Sequence, residues 1–237
     1  MNNKKIVSSV ILAMTVCTLH IHSYSHIEAS QQTFDSSASN KSFESIVLFL
    51  TEEDFVTALS WIEQNYSNAT TIEQDGLIKE KLLAIYNEKQ RKGAYNSRSY
   101  NALNLTSAEK RLIASHPVEA AHYYTSSQIA KNYTNQKFGY NGYKDSSDAF
   151  RHAMWNGALT QRIGAGRAKV WTDAHEEGVR DRLDKAMDLH NNKLGRDIGS
   201  KYGKGGVATN AMADEINRAI RTGRGRRIVN NRLVATR

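Results

Sequence analysis

Residues 148–156 read Asp-Ala-Phe-Arg-His-Ala-Met-Trp-Asn (DAFRHAMWN), and their spacing favours a helix. Asp148, His152 and Asn156 recur every fourth residue, so on a helix they share one face. Apolar phenylalanine, alanine and methionine side chains lie beside them in the sequence. That polar face is either a solvated stripe or part of a functional site. Which of the two applies depends on the residues elsewhere in the chain that could lie next to it.

The residues after this stretch continue the helical pattern. Asp145 or Ser146 is the predicted N-cap of the first helix, and Gly164 is its predicted end. Alternating β-branched residues form one weak strand candidate, at residues 227–234. We therefore expect a mainly α protein, a helical bundle with at most a minor β element at the C-terminus. Three further helices are predicted at about residues 166–177, 180–193 and 209–221.

The residues that precede the stretch also indicate helices. Residues 106–109 form a capping-box pattern that opens a helix through Ile113, and Pro117 fits the first turn of the next helix. That helix is expected to run to Lys131. Residues 132–144 have the composition of a polar, tyrosine-rich loop.

Two units are expected in the folded part of the chain. The first, at residues 44–91, has a helix N-cap pattern at residues 51–54 and a second amphipathic pattern at residues 77–86, so we predict a helical pair. Residues 92–104 are rich in glycine, asparagine and serine and separate this pair from the second unit. That second unit is the helical, motif-bearing domain, expected at residues 105–222.

The first residues carry the features of a secretory signal. Two lysines precede an apolar run, Ile6–Leu19, which is too short to cross a bilayer in the mature protein. We expect a signal peptide at residues 1–25, with cleavage as late as Ser30 as the alternative. Residues 26–43 are then expected to form a disordered linker. The protein would be secreted, and either extracellular or associated with the cell wall.

The only cysteine, Cys17, lies within this leader, so the mature chain would be free of cysteine. That composition excludes stabilisation by disulfides, catalysis by a thiolate and zinc held by cysteine. We therefore expect the stability of the protein to come from a packed core.

Charge is distributed unevenly along a chain whose formal net charge is +8. Residues 41–91 contain nine acidic and five basic side chains, whereas residues 216–237 contain seven arginines and no acidic residue. We interpret residues 223–237 as an Arg-rich tail. It either contacts an anionic polymer or lipid, including an anionic substrate, or is only a solvated end. No transmembrane segment is expected in the mature chain.

Three short clusters each combine a histidine with a carboxylate: residues 148–156, residues 171–177 (WTDAHEE) and residues 186–196 (AMDLHNNKLGR). None is a strong signal alone, because a single histidine on a helix is more often a bonded core residue. The zinc-protease pattern HExxH is excluded, since Val179 occupies the position of its second histidine. The combination is more informative, because three consecutive helices can direct such groups into one bundle interior.

One hypothesis is a divalent metal site, with zinc or a similar ion held by imidazole and carboxylate. Glu176 would act as a general base on metal-bound water, and Asp173 and Asn191 would fix imidazole tautomers together with Asp148. The candidate metal ligands are His152, His175, Asp188 and His190.

A metal-free alternative uses the same residues in other roles. One histidine would abstract a proton and a second would donate one, while Arg151 or Arg196 would hold an anionic group such as a phosphate. This scheme suits cleavage of RNA, whose 2′-hydroxyl is an internal nucleophile.

The motifs DAFRHAMWNGAL, TDAHE and MDLHNNKLGR, preceded by LTSAEKRLIASHP, resemble an uncharacterised bacterial domain of secreted and toxin-like proteins. The resemblance covers about residues 105–199. It implies an α-helical unit, and the toxin-like context implies a hydrolytic role and allows an immunity protein as a partner. Its signature positions correspond to Arg151, His152, Trp155, Asn156, Asp173, His175, Glu176, Asp188, His190, Asn191, Asn192, Gly195 and Arg196.

These patterns are compatible with two classes of function. The first is a secreted hydrolase with a His/Asp/Glu site, assisted by a metal ion, that acts on an anionic substrate, above all a phosphodiester of nucleic acid or lipid. The second is a non-enzymatic binding or structural module of the cell surface, in which the same polar groups form a buried network that fixes helix register.

Overall fold

The computed structural model describes residues 42–93, 103–203 and 209–237. The predicted signal peptide, and residues 26–41 of the predicted linker, lie outside the described residues. The last residue of that predicted linker, Phe43, begins the first described helix.

The described residues are mainly α-helical, as predicted, with one C-terminal β-hairpin. A 3₁₀ turn, Ser200–Tyr202, follows the helix that ends at Gly199. The strands of the hairpin are β1 (Arg226–Val229) and β2 (Arg232–Ala235). The helices are α1 (Phe43–Val47), α2 (Glu52–Asn65), α3 (Thr71–Arg91), α4 (Ser107–Ser115), α5 (Pro117–Phe138), α6 (Ser146–Ile163), α7 (Ala165–Glu176), α8 (Arg182–Gly199) and α9 (Asn210–Arg221).

Local capping explains where several of these helices begin. The N-cap predicted at Thr51 and the capping box predicted at Thr106 both form capping boxes, and Thr70 forms a third at the start of α3. In each box a threonine hydroxyl accepts from a backbone N–H, and an acidic side chain three residues later accepts from the threonine N–H. The predicted N-cap Asp145 accepts two backbone N–H groups at the start of α6.

Two helices extend further than their sequence patterns predicted. The predicted loop at residues 132–144 is wrong in its first half, because α5 continues to Phe138 and ends at Gly139, whose φ is 80°. The pattern looked loop-like because it is polar, but Tyr133 and Phe138 pack against the core and hold these turns in the helix. Similarly, α8 continues beyond Lys193 to Gly199.

Helix α6 forms the centre of the described fold. It packs against α5, α7, α8 and α9, and it has more buried residues than any neighbouring helix. Gly195 and Gly199 on α8 let the backbones of α6 and α8 approach closely, since a Cβ on Gly199 would lie 2.6 Å from the carbonyl oxygen of Gly157. A Cβ on Gly195 would overlap the carbonyl group of Ala153. This close contact positions the polar face of α6 against α8.

Residues 223–237, interpreted from the sequence as an Arg-rich tail, contain the antiparallel hairpin. Asn230 and Asn231 form its turn with φ of 48° and 55°, a conformation that asparagine tolerates well. The hairpin packs against the bundle, because Ile228 N–H donates to Lys144 O at 2.9 Å and Thr236 Oγ1 donates to Ile220 O at 2.6 Å. In the part of the chain that the structure describes, every helix is too short or too polar to cross a membrane.

Candidate metal centre and adjoining cavity

His152 on α6 lies among carboxylates from three helices. Its Nε2 is 3.4 Å from Asp188 Oδ1 on α8 and 3.6 Å from Asp148 Oδ1 on its own helix. Its Nδ1 is 3.9 Å from Glu176 Oε1 on α7. His152, Glu176 and Asp188 each offer a ligand atom, and these atoms lie within 4.8 Å of one another.

These carboxylates are withdrawn from water and incompletely bonded. Glu176 is fully buried, and Asp148 and Asp188 are nearly so. Glu176 Oε2 and Asp188 Oδ1 have no hydrogen-bond partner. A buried acceptor without a partner is costly, and a buried negative charge is more so. The group therefore has the composition of a cation site, in which an ion would supply the missing interaction.

Burial and mutual repulsion both act on the protonation of these groups. Burial, reinforced by the charges of Glu176 and Asp148, raises the pKa of Asp188 to about 9. Burial also raises the pKa of Glu176 and that of Asp148, although nearby cationic groups oppose the shift. Burial, with the charge of Arg151, lowers the pKa of His152 to about 3. His152 is therefore neutral near pH 7, the form in which imidazole binds a metal.

A chain of amides fixes the orientation of His152. Its Nδ1 lies 3.1 Å from Asn192 Oδ1, which also accepts from Asn156 Nδ2 at 2.7 Å. With both partners on that oxygen, His152 Nδ1 carries the proton and Nε2, facing Asp188, is free to bind a cation. Asn192 Nδ2 in turn donates to Glu176 Oε1 at 3.1 Å.

The same network continues inward to Arg196. Asn156 Oδ1 accepts from Arg196 Nη1 at 2.8 Å and from Thr172 Oγ1 at 3.0 Å. Arg196 was predicted as a residue that could hold an anionic group of a substrate. In the structure it is buried and bonded to these two side chains, so it supports the amide network.

A cavity of about 230 Å³ adjoins this cluster of carboxylates around His152, and His152 also lines the cavity. Lys131 and Arg151 bring positive charge to the cavity, where Lys131 pairs with Glu52 at 3.0 Å. Arg151 also pairs with Asp148 and donates to Gly142 O at 2.9 Å, which holds its guanidinium in place. The cavity is lined by Glu52, Glu109, Tyr123, Tyr124, Ser127, Ala130, Lys131, Arg151, His152, Trp155 and His175.

His175 on α7 reaches the same cavity but pairs with a different carboxylate. Its Nδ1 lies 3.0 Å from Glu109 Oε1, which also accepts from Tyr123 Oη at 2.7 Å. The other oxygen of Glu109 accepts from Thr106 N–H in the capping box of α4, so this carboxylate is held at both ends. Burial lowers the pKa of His175, but the hydrogen bond and charge of Glu109 outweigh it and raise that pKa overall.

Trp155 lies between the two histidines. Its ring centroid is 5.3 Å from that of His175 and 6.2 Å from that of His152. Its Nε1 donates to Tyr123 O at 3.1 Å, which fixes the indole as a wall of the cavity. The two histidines thus share the cavity, but His175 is not among the residues that could hold the cation with His152.

Three other predicted site residues lie elsewhere. His190 Nε2 is 2.8 Å from Arg224 O. The side-chain amide of Asn191 bonds the backbone of Arg226, since Nδ2 donates to its carbonyl and Oδ1 accepts from its N–H. Both therefore contact the C-terminal hairpin and not His152. Asp173 pairs with Lys169 on the outer side of α7. A helix rotates by about 100° per residue, so His190 and Asp188 point to opposite sides of α8.

Sequence reasoning assigned no site role to Glu109 or Tyr123. Glu109 was recognised only as part of a capping box, which accounts for one of its oxygens and says nothing about the other. Tyr123 lies within α5 with no motif around it. Both residues are buried. The packing of α4 and α5 against α7 decides that burial, so the local sequence offered no signal for either role.

Residues 110–224 match the family model described as a domain of unknown function (DUF6973). The matched segment contains His152, Glu176, Asp188 and His175, and it begins one residue after Glu109. No curated protein and no solved structure matches the chain.

Proposed function

We propose that the protein is a divalent-metal-dependent hydrolase of an anionic substrate, with a phosphodiester as the most suitable class. His152, Glu176 and Asp188 would hold the ion. The observation that carries the proposal is a neutral imidazole surrounded by buried carboxylates, two of whose oxygens have no hydrogen-bond partner.

The electrostatics of this group favour a cation over an empty network. When ionised, the three buried carboxylates repel one another, and Arg151 balances only Asp148 directly. Burial and this repulsion keep Asp188 protonated near pH 7, and a bound cation would allow it to ionise. Removing a charge from water costs several kcal/mol unless it is paired. A single imidazole with two carboxylates suits zinc, manganese or iron. A bound ion would supply Lewis acidity and lower the pKa of a coordinated water.

The cavity supplies the other groups that hydrolysis requires. His175, held by Glu109, can accept a proton from the attacking water and return it to the leaving group. Lys131 and Arg151 line the cavity and would attract an anionic group. In this arrangement Glu176 is a ligand of the ion, and His175 takes the role of base that the sequence suggested for Glu176.

The setting of this activity is part of the proposal. The signal peptide expected at residues 1–25 favours a site of action outside the cell. The resemblance of residues 105–199 to a domain of toxin-like proteins is consistent with an enzyme that attacks a foreign polymer or membrane and with an immunity protein as its partner.

The test is hydrolysis of bis(p-nitrophenyl) phosphate, RNA and phospholipid vesicles, with and without chelator. We expect hydrolysis that stops on chelation, returns with zinc or manganese, and falls at least a hundredfold in Asp188→Asn and His175→Ala. His190→Ala is the matched control and should retain activity. Hydrolysis that persists in chelator would contradict the metal mechanism and favour the metal-free scheme, in which two histidines act as acid and base.

A non-enzymatic module is the second candidate, and one observation favours it. The amides of Asn156 and Asn192, with Arg196, connect α6, α7 and α8 by hydrogen bonds that stabilise this packing. If the polar groups serve only that packing, none of the substrates should be cleaved. Asp188→Asn should then destabilise the protein whether or not metal is present.

A further inference from the structure

The C-terminal hairpin, Arg226–Ala235, presents a concentration of positive charge that the proposed site does not use. Residues 223–237 include five arginines and no acidic residue. In the described residues, none of these five forms an ion pair with a carboxylate side chain. Two acidic groups on the neighbouring helix α8 and its N-cap, Asp197 and Asp181, are already paired with Lys193 and Lys144.

The hairpin is firmly attached to the bundle at its base. Asn191 donates to Arg226 O and accepts from Arg226 N–H, both at 2.9 Å. His190 contacts Arg224 O, and Thr236 N–H donates to Gly225 O at 3.1 Å. Two residues of the DLHNN motif thus hold the hairpin, while Asp188 and Asn192 of the same motif face His152. The charged surface therefore has a fixed geometry relative to the candidate site.

Apolar side chains are interleaved with these arginines. Val229 and Leu233 are 40% and 37% exposed near the tip of the hairpin. Arg227 pairs with Val234 and Val229 pairs with Arg232, so two arginines and two valines share one face of the hairpin. Leu233 pairs with Ile228 on the opposite face, so Val229 and Leu233 flank the tip from its two sides. Residues 216–237 contain no aromatic residue, so the hairpin itself lacks the stacking groups typical of sites for single-stranded nucleic acid.

We propose that this hairpin docks the protein onto an anionic lipid bilayer. The hairpin would insert by its tip. The arginines would contact phosphate headgroups, and Val229 and Leu233, on opposite faces beside the turn, would enter the boundary between headgroups and acyl chains. Docking of this kind does not depend on the proposed hydrolase activity, because it requires only the surface of the hairpin.

The test is sedimentation with vesicles of phosphatidylcholine alone and of phosphatidylcholine with phosphatidylglycerol. All variants share one N-terminus, so any contribution of residues 1–30 cancels in the comparison. We expect selective binding to the anionic vesicles. It should weaken roughly tenfold or more in Arg227→Gln/Arg232→Gln and several-fold in Val229→Ser/Leu233→Ser.

The matched control, Arg91→Gln/Arg111→Gln, removes the same charge from exposed positions on α3 and α4 and should bind normally. Unchanged thermal melts will exclude unfolding of the hairpin variants. Equal loss in the control would overturn the proposal in favour of diffuse attraction by net charge. Failure to bind anionic vesicles would also overturn it, and binding of duplex DNA without vesicle binding would reassign the surface to nucleic acid.

Discussion

His152 Nε2 on α6 lies 3.4 Å from Asp188 Oδ1 on α8, beside the place where two glycines of α8 bring the helix backbones together. The contact depends on that close packing, since neither side chain is long. It places a neutral imidazole against a buried carboxylate whose Oδ1 accepts no hydrogen bond. The stability of the bundle and the properties of the candidate site are therefore coupled through the same pair of helices.

Metal content is expected to depend on His152 and Asp188. Elemental mass spectrometry of the purified protein should find close to one transition ion per chain, either as isolated or after reconstitution. The ion should be lost in His152→Ala and Asp188→Asn, because each removes a ligand. His190→Ala should retain the ion, since His190 contacts the hairpin. Equal metal content in all four proteins would contradict this assignment.

Asp188 is expected to make the chelated protein less stable as pH rises. Its folded-state pKa, about 9, is above the ordinary 3.8. Stability from the protonated carboxyl is fully present below pH of about 4 and is lost as pH approaches about 9. Asp188→Asn should remove this dependence and raise the free energy of unfolding at pH 8 by about 1–3 kcal/mol.

Urea denaturation of chelated protein across this pH range measures the effect of Asp188→Asn. Asp197→Asn provides a control on the same helix, because Asp197 is exposed and pairs only with Lys193. Its effect should stay within about 0.5 kcal/mol at every pH. A lower stability of Asp188→Asn at pH 8 would instead favour the structural-network function.

Glu109→Gln is expected to lower the pKa of His175. Glutamine keeps an acceptor for the capping box of α4 but removes the negative charge beside the imidazole. The raised pKa of His175 means that the ion pair stabilises the fold at pH below about 6.5 and that this contribution is lost as pH rises through the folded-state pKa. NMR titration of the His175 ring measures the shift directly.

The pKa of Glu109 is lowered, so the ionised carboxylate stabilises the fold above about pH 4.5. This stabilisation is lost as pH falls below that value. The ion pair should therefore affect stability most between these two values. Glu53→Gln, an exposed residue on α2, should leave the His175 titration unchanged. If the pKa of His175 in Glu109→Gln equalled that in the wild-type protein, Glu109 would not set the basicity of this histidine.

Gly195→Ala is expected to destabilise the fold by about 1–3 kcal/mol. The added Cβ would overlap the carbonyl of Ala153 and force α6 away from α8. Thermal or urea denaturation measures this loss. Gly76→Ala is the matched control within α3, where a Cβ meets nothing within 4 Å, and it should stabilise the protein by about 0.5–1 kcal/mol. Similar behaviour of the two variants would rule out tight backbone packing at Gly195.

Much of the helical framework could be predicted from local sequence. Thr51, Thr106 and Asp145 are N-caps because their side chains bond the nearest free N–H groups, and Gly164 ends α6 because it adopts a positive φ. The end of α5 was missed for the opposite reason. Tyr133 and Phe138 remain helical because they pack against residues distant in the sequence. Local composition does not predict such packing.

The sequence alone determined that polar residues of α6, α7 and α8 are embedded among apolar ones, because helical periodicity follows from residue spacing. Only the tertiary structure decided which of them meet. Glu176 and Asp188 face His152, whereas His190 and Asn191 face the hairpin and His175 faces Glu109. The reason is physical: spacing fixes the direction of a side chain about its own helix, but the packing of the helices determines which groups lie opposite it.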